Sequence, residues 1–489
     1  MGADIEVEAN LAEPGTVTVA QRPRHWTDRL DWRIVLVATV IGFAAPVVIF
    51  LKTIANYSVN VIVQDQLTDV PLINASYHQW IPWAQLWAPY HEDRSFFPNL
   101  VTVFLAHTVH FNVQVEEYLG AALLIAAVAV VIVAHRRWSS DIPWLYYCPI
   151  ALLILSPVQY ETMLLGGVSW YLVLLALAGA LAALDARSTT RWTIIAAVGC
   201  AVIGSFSALS GLMIWPVGLA LLLLRRRPWT VVAIWLGSAL ATGIAYGAGF
   251  HGDSSSASHW GWVAAHPVQS ARFLILLIGG TLGRTVGFAG YSTTLTMVFG
   301  FATLAVAGAA VVVYVRRPDR STGAPIGLAL ILFGLLFACT VVGGRVVDGD
   351  WVTSAPRYTT YDLCILAGAY LAFLAPPAPK AVAQDLAAPA VAVAAKRASM
   401  VMRCLLLAMI AVQAWYGIPA GRVGGIVTNG YQEKALIVSR NFDHLPKQTV
   451  WYTLEPAFTP EYVLEQLAIA RRLQLSEFSN WPSVKPHSG

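Results

Sequence analysis

Long apolar runs alternate with short polar segments along most of the chain. Many of these runs approach the roughly 20 residues that an α-helix needs to cross the hydrocarbon core of a bilayer. The pattern therefore predicts an all-α polytopic protein with about eleven membrane-spanning helices. They are expected at residues 34–54, 116–134, 142–157, 167–184, 192–206, 210–224, 229–249, 293–315, 325–343, 360–376 and 399–417.

A further apolar segment, residues 96–111, is predicted to lie along the membrane surface. Pro98 suits the first turn of a helix. At about 100° per residue, the polar residues that follow share one face of that helix. These residues are Asn99, Thr102, His107 and His110. A polar face of this kind is typical of an interfacial amphipathic helix.

The apolar segment 268–288 is also not counted as a crossing. It contains Arg272 and Arg284 and the glycine pair Gly279 and Gly280. Charged residues and paired glycines favour a re-entrant or surface-lying segment that is buried against protein. Counting either segment as a crossing would move basic clusters to the wrong side of the membrane.

Composition supports the membrane class. Of the 489 residues, 57% are hydrophobic and 12% are charged, with a mean hydropathy of +0.62. Although the net charge is +4, the Lys and Arg residues lie beside apolar runs, where they set orientation, so we infer no nucleic-acid role. The five cysteines lie in or at the ends of apolar runs without CxxC spacing, which favours neither a disulfide frame nor a metal site.

Basic residues favour the cytoplasm and predict the orientation. Four arginines precede the first apolar run, and five further basic clusters can all be cytoplasmic at once. We therefore expect a disordered cytoplasmic tail at residues 1–33, a membrane domain at residues 34–417 and a small external segment at residues 418–489, in the cell membrane. The clusters are at Arg136 and Arg137, Arg187 and Arg191, Arg225 to Arg227, Arg316 to Arg320, and Lys380 to Arg403.

The predicted external loop at residues 56–117 is unusually rich in ionisable side chains. They are Asp65, Asp69, His78, His91, Glu92, Asp93, Arg94, His107 and His110. A long first external loop with acids and an interfacial helix, many further spans and an external end resembles the GT-C class of membrane glycosyltransferases. The stretches HEDRSFFPNL (91–100), SFSALSGLMIWPVGL (205–219) and APRYTTYDL (355–363) also look like those of bacterial membrane proteins grouped with this class.

This resemblance implies transfer of a sugar from a polyprenyl-phosphate donor to an envelope glycan or lipid acceptor, outside the membrane and with inversion. It implies no cofactor. A carboxylate takes the proton of the acceptor hydroxyl while nearby cations stabilise the departing phosphate. The paired Asp-Glu of the protein mannosyltransferases is absent, since this chain reads VQDQLTDV.

Asp65 is our choice for the base, because it lies shortly beyond the first predicted span. The alternative is a solvated loop acid or a helix cap. Asp69 is a second candidate at the same site. In the HEDR run, Glu92 or Asp93 is expected to bind sugar hydroxyls, Arg94 phosphate and His91 either of them, although acids before a helix are also ordinary caps. His107 and His110 share a helix face, but without a third ligand a polar surface is favoured over a metal site.

Further candidates lie in other predicted external segments. Glu161 follows the third predicted span, and Arg345 and Arg357 flank the loop before the tenth. Arginine beside Tyr358 suits a lipid phosphate, because its forked donors match two phosphate oxygens. An ion pair of Arg357 with Asp348, Asp350 or Asp362 is the alternative.

Two other functions remain open from the sequence. A secondary transporter or flippase also has many crossings and glycine-interrupted helices. Against it, the ionisable residues concentrate in one loop, and no repeated halves are present. A non-catalytic lipid-binding or scaffold protein is the third possibility.

Overall fold

The computed structural model describes residues 31–79, 81–249, 259–283, 292–316, 322–375 and 389–479. Throughout these ranges the regular structure is helical, apart from an isolated β-bridge between Tyr90 and Asp93. The helices are α1 (Trp32–Tyr57), α2 (Asp69–His78), α3 (Trp83–Trp87), α4 (Phe96–Val109), α5 (Val113–Arg136), α6 (Cys148–Ile154), α7 (Tyr160–Leu164), α8 (Val168–Leu184), α9 (Arg191–Ser205), α10 (Ile214–Leu224), α11 (Trp229–Gly247), α12 (Trp260–Ala265), α13 (Pro267–Gly279), α14 (Thr293–Arg316), α15 (Ala324–Arg345), α16 (Pro356–Leu374), α17 (Pro389–Arg440), α18 (Lys447–Leu454) and α19 (Pro460–Arg472).

Six helices among the described residues are long and apolar enough to cross a membrane. They are α1, α5, α11, α14, α15 and α17. The prediction of a helical membrane protein is confirmed, whereas length and composition support six of the eleven predicted spans. Several of the other expected spans, including α8 and α9, are apolar helices of 10 to 17 residues.

The expected span at residues 142–157 is not one helix. A 3-10 turn at Trp144–Tyr147 leads into the seven-residue α6, and a second 3-10 turn at Pro157–Gln159 precedes α7. Pro149 stands in the first turn of α6, where proline is tolerated. Pro157 lacks the N–H needed to continue that helix, so the apolar run is divided.

The last long helix continues well beyond the end of its apolar run at Gly417. Its 52 residues extend to Arg440, and four of its five glycines, Gly417, Gly421, Gly424 and Gly425, lie against other elements. A Cβ atom at Gly421 would lie 2.4 Å from the backbone oxygen of Pro157. Close packing against neighbouring elements therefore explains why glycines occur inside this continuous helix.

A second, separate core joins the first predicted external loop to the C-terminal segment. Val61, Ile62, Val450 and Leu467 are among its fully buried residues. The Ile62 amide donates to Glu477 Oε2 at 3.1 Å. We call residues 58–112 and 431–479 the cap unit. Because its two parts share one core, they lie on the same side of the long helices.

Basic residues gather at the opposite end of those helices. Arg225 forms a buried ion pair with Asp185 and donates to the Thr322 carbonyl at 3.0 Å. Arg187 donates to the carbonyl of Arg137. Four of the predicted cytoplasmic segments are thus tied together. The tail up to residue 30, Arg284, Arg317, Arg320 and Lys380 lie outside the described residues.

The segment expected to be re-entrant begins with α13. Its 13 residues reach roughly 20 Å, too short for a bilayer core of about 30 Å. Phe273 and Leu277 are buried, and a Cβ atom at Gly279 would lie 2.0 Å from the backbone oxygen of Thr296 in α14. The helix is therefore packed tightly against protein, while Arg272 reaches Asp350 at 2.7 Å.

Candidate functional site

The exposed Asp65 lies in a 3-10 turn at Gln64–Thr68. Buried Val61 and Ile62 anchor the preceding residues in the cap core. Tyr90 donates its hydroxyl to Asp65 Oδ1 at 2.9 Å, and its backbone is held by reciprocal 2.9 Å bonds with Asp93. Burial, followed by the charge of Asp65, raises the pKa of Tyr90, so the phenol stays a donor. One oxygen of Asp65 is thereby oriented.

Asp69 begins α2 and lies close to Asp65. Burial is the main cause of its strongly raised pKa, and the charges of Glu116 and Asp65 raise it further. Gln66 connects this turn to α5 by donating to Glu116 Oε2 at 3.3 Å. A helix N-terminus normally favours a charged carboxylate, but here burial has the larger effect. Asp65 is the more exposed acid of this pair.

The C-terminal part of the cap unit contributes another acid. Glu455 follows α18 and accepts from the Ala457 amide at 2.9 Å. Burial raises its pKa, and the charge of Asp65 adds to the shift. Tyr431 of α17 lies nearby and donates to the Leu454 carbonyl at 3.2 Å. The sequence gives no sign of this contribution, because only the tertiary fold brings residue 455 near residue 65.

Tyr90 and Glu116 were missed for different reasons. Tyr90 directly precedes the HEDR run, but its sequence position gives no sign that its hydroxyl contacts Asp65. Glu116 marks the start of a predicted span, and an acid in the first turn of an apolar helix is a signal that could have identified it.

The HEDR run connects the acids to an arginine of the membrane part. His91 is exposed, has a φ of 50°, and packs its ring against Tyr90. Glu92 lies 3.9 Å from Arg345 at the end of α15. Arg345 also lies 3.8 Å from Asp348, and all these charged side chains are partly exposed. The candidate cation and the acidic loop are therefore neighbours.

Asp93 fixes this loop to another one. Its Oδ1 accepts from the Leu209 amide at 2.6 Å, within the SFSALSG stretch. Burial raises the pKa of Asp93 to about 6, although the Leu209 hydrogen bond opposes the shift. This carboxyl holds two segments together and is not directed outward at solvent as Asp65 is.

Arg94 does not fit the phosphate contact expected for it. Its side chain is only 1% exposed. Its three nitrogens donate to the carbonyls of Trp87, Tyr246 and Ala248 at 2.8 to 3.0 Å, and its guanidinium lies 4.8 Å from the Trp87 ring. Burial with backbone partners gives Arg94 a structural role in joining α3 to the end of α11.

Arg357 pairs with Glu161, another residue expected at the site. Its guanidinium forms an ion pair with Glu161, whose other oxygen accepts from the Arg357 amide at 3.3 Å. The cation lies 5.2 Å from the ring of buried Tyr358. The anticipated alternative partners were wrong, since Asp348 faces Arg345 and Asp350 faces Arg272. Arg357 remains about half-exposed.

Among the described residues, Asp65 and the acids nearest to it have no basic side chain in contact with them. Within the described ranges, no Lys or Arg lies within 4.0 Å of Asp65, Asp69, Glu116 or Glu455. Those ranges also contain no group of three His, Cys, Asp or Glu residues placed to hold a metal. His107 faces the Ser76 hydroxyl at 3.1 Å. The arrangement supplies an oriented exposed carboxylate, with arginines beyond the HEDR run.

Together, the helices and this polar site define a helical membrane protein with an acidic cap. Comparisons of the chain with protein-family models, curated proteins and solved structures found no match. Any more particular assignment therefore depends on the chemistry of the site itself.

Proposed function

We propose that this protein is a membrane glycosyltransferase of the cell envelope. It would move a sugar from a polyprenyl-phosphate donor to an envelope glycan or lipid acceptor on the outer face of the cell membrane. The observation that carries the proposal is the exposed Asp65 carboxylate, oriented by Tyr90 and linked through the HEDR run to Arg345. Such a site offers a base and a cation at the end of membrane helices.

The topology of the proposal has eleven crossings. The broken segment from residue 142 to 157 and the helices α8, α9, α10 and α16 would add five crossings to the six long spans. Support comes from the gathering of basic side chains at the end opposite the cap unit, because basic loops favour the cytoplasm. The N-terminus is then cytoplasmic and the cap unit external.

The reaction is an inverting displacement. Asp65 takes the proton of the acceptor hydroxyl as its oxygen forms a bond to the anomeric carbon. The bond from that carbon to the phosphate oxygen breaks, and polyprenyl phosphate leaves with the electron pair. Arg345 and Arg357 stabilise the charge on that phosphate. His91 and Glu92 contact the sugar from the exposed side of the loop.

The ion pair between Arg357 and Glu161 makes phosphate recognition testable. Donor phosphate would compete with Glu161 for Arg357, so Arg357→Ala should weaken donor recognition by on the order of 1.5 to 3 kcal/mol. Glu161→Gln should retain donor binding. Donor titrations of the folded variants measure both effects, and normal binding by Arg357→Ala would place the phosphate site elsewhere.

Asp65→Asn tests the base directly. The amide keeps the shape and can still accept from Tyr90, but it cannot take a proton. Transfer from polyprenyl-phosphate sugars by purified protein should fall by a factor of about 100 to 10,000, while donor binding survives. Parallel assays of Asp69→Asn, Glu92→Gln and Asp93→Asn identify the carboxylate that matters. Near-normal transfer by all four variants would contradict this mechanism.

A secondary transporter or flippase is the second candidate, favoured by Asp362. This carboxylate in α16 is 1% exposed, and neither oxygen has a hydrogen-bond partner. Ionisable residues buried in membrane helices are typical of ion pathways. Flux of a polyprenyl-phosphate sugar across sealed vesicles without covalent product, lost in Asp362→Asn, would favour this function over transfer.

A further inference from the structure

Four buried side chains with unpaired oxygens meet where the cap unit joins the long helices. Ser58 follows α1, Gln114 and Glu117 lie in the first turns of α5, and Tyr171 lies in the first turn of α8. They are 1% to 7% exposed. Ser58 Oγ, Gln114 Oε1, both Glu117 carboxylate oxygens and Tyr171 Oη have no hydrogen-bond partner.

These oxygens belong to one place. Gln114 and Glu117 are three residues apart and share a helix face. Gln114 donates its Nε2 to the Ser58 carbonyl at 3.0 Å. The Ser58 hydroxyl faces the Glu117 carboxylate without forming a hydrogen bond of ordinary geometry, and Tyr171 lies within range of the Glu117 charge. Ser58 and Gln114 are thus close to Glu117, and the Tyr171 ring packs one turn further along α5, 3.0 Å from where a Cβ at Gly120 would lie.

A bound cation would account for the burial of the Glu117 carboxylate. Glu117 is next to Glu116, and neither forms an ion pair with a Lys, Arg or His among the described residues. Burial of an uncompensated carboxylate is strongly unfavourable. A proton on Glu117 is the alternative, since it would neutralise the carboxyl and supply one O–H donor beside the hydroxyl donors of Ser58 and Tyr171. A cation would use these oxygens as ligands without needing donors, and hard cations prefer oxygen ligands.

We propose that these oxygens form a monovalent cation site and that its ligand is Na⁺. A single carboxylate among neutral oxygens balances one positive charge. The site lies next to Glu116, which faces Gln66 at 3.3 Å, so the cation would also favour the ionised forms of the nearby cap acids. This inference does not depend on sugar transfer.

Thermal unfolding of the full-length purified protein tests the site. Because a ligand bound only by the folded state stabilises it, Tm should rise with NaCl relative to choline chloride at equal ionic strength. Direct binding of radioactive Na⁺ should follow the same curve. Glu117→Gln should remove both effects. Tyr171→Phe and Ser58→Ala each remove one ligand and should weaken Na⁺ binding by roughly tenfold.

Asp362→Asn is the matched control, because it changes another buried carboxylate with unpaired oxygens and should leave Na⁺ binding intact. Equal stabilisation by choline, or an unchanged Na⁺ response in Glu117→Gln, would overturn the proposal. Stabilisation that depends on pH and not on Na⁺ would do so too, since it would identify a proton at Glu117. If Glu117→Gln does not fold, wild-type Na⁺ affinity in both Tyr171→Phe and Ser58→Ala is decisive against the site.

Discussion

Arg94 and Arg345 were both expected at the substrate site, but their guanidinium groups have different surroundings. Arg94 is buried and donates only to backbone carbonyls, whereas Arg345 is about half-exposed between two carboxylates. Sequence alone could not separate them, because residue type and position in a loop were equivalent. Burial decides which side chain is structural and which is available to a ligand.

Arg94→Gln is expected to destabilise the protein. Hydrogen bonds to charged groups contribute about 1.5 to 3 kcal/mol each, and the carbonyls of Trp87, Tyr246 and Ala248 would lose theirs. Thermal unfolding in detergent should show a clear loss of stability. Arg345→Gln is the control, because exposed ion pairs contribute at most about 1 kcal/mol. Similar stabilities for both variants would contradict the structural role of Arg94.

The Asp93 carboxyl should make the stability of the folded protein depend on pH. Its pKa is raised from 3.8 to about 6, so the folded state prefers the protonated form. The stabilising contribution is complete below the unfolded pKa and is lost as pH rises through about 6. Asp93→Asn, which can still accept from Leu209, should therefore lose less stability than wild type between pH 4 and 6. Parallel pH profiles of unfolding would contradict this.

At the scale of elements, the packing of α17 depends on particular glycines. Gly421→Ala should destabilise the protein by about 1 to 3 kcal/mol, because its Cβ would meet a backbone oxygen that cannot rotate away. Gly430→Ala in the same helix meets nothing within 4 Å and should be neutral or stabilising by roughly 0.5 to 1 kcal/mol. Unfolding measurements on both variants should separate them, and equal effects would mean that propensity alone matters.

Hydropathy predicted the bounds of some helices well and those of others poorly. Hydropathy located α1, α5, α14 and α15 closely, because long apolar runs reflect the membrane directly. It placed the end of α17 too early, since the polar residues after Gly417 remain helical through packing. The divided run near Pro157 was missed because composition there is uniformly apolar, while proline acts on the backbone.

Contacts between residues distant in the sequence limited how much of the site could be predicted. Asp65 and the HEDR run were found as local clusters of polar residues. Tyr90 and Glu455 were not found, because their proximity to Asp65 arises only in the folded chain. Glu455 lies almost 400 residues from Asp65 in the sequence. The function proposed for these residues stays a prediction until transfer is measured.

For the whole molecule, the shared core of the cap unit makes a prediction about sidedness. His78 and Tyr452 are exposed on its two parts, and Thr189 is exposed at the opposite end of the helices. In a background without the native cysteines, His78→Cys and Tyr452→Cys should both react with an impermeant thiol reagent added outside intact cells. Thr189→Cys should react only after permeabilisation.

The two cap positions test the fold as well as its orientation. Because both belong to one packed unit, a result in which only one of them reacts would contradict the fold itself and not merely its orientation. Labelling of Thr189→Cys from outside, with both cap positions protected, would keep the fold but place the cap unit in the cytoplasm. An external lipid-linked sugar could then not reach Asp65, and the proposed reaction would have to be abandoned.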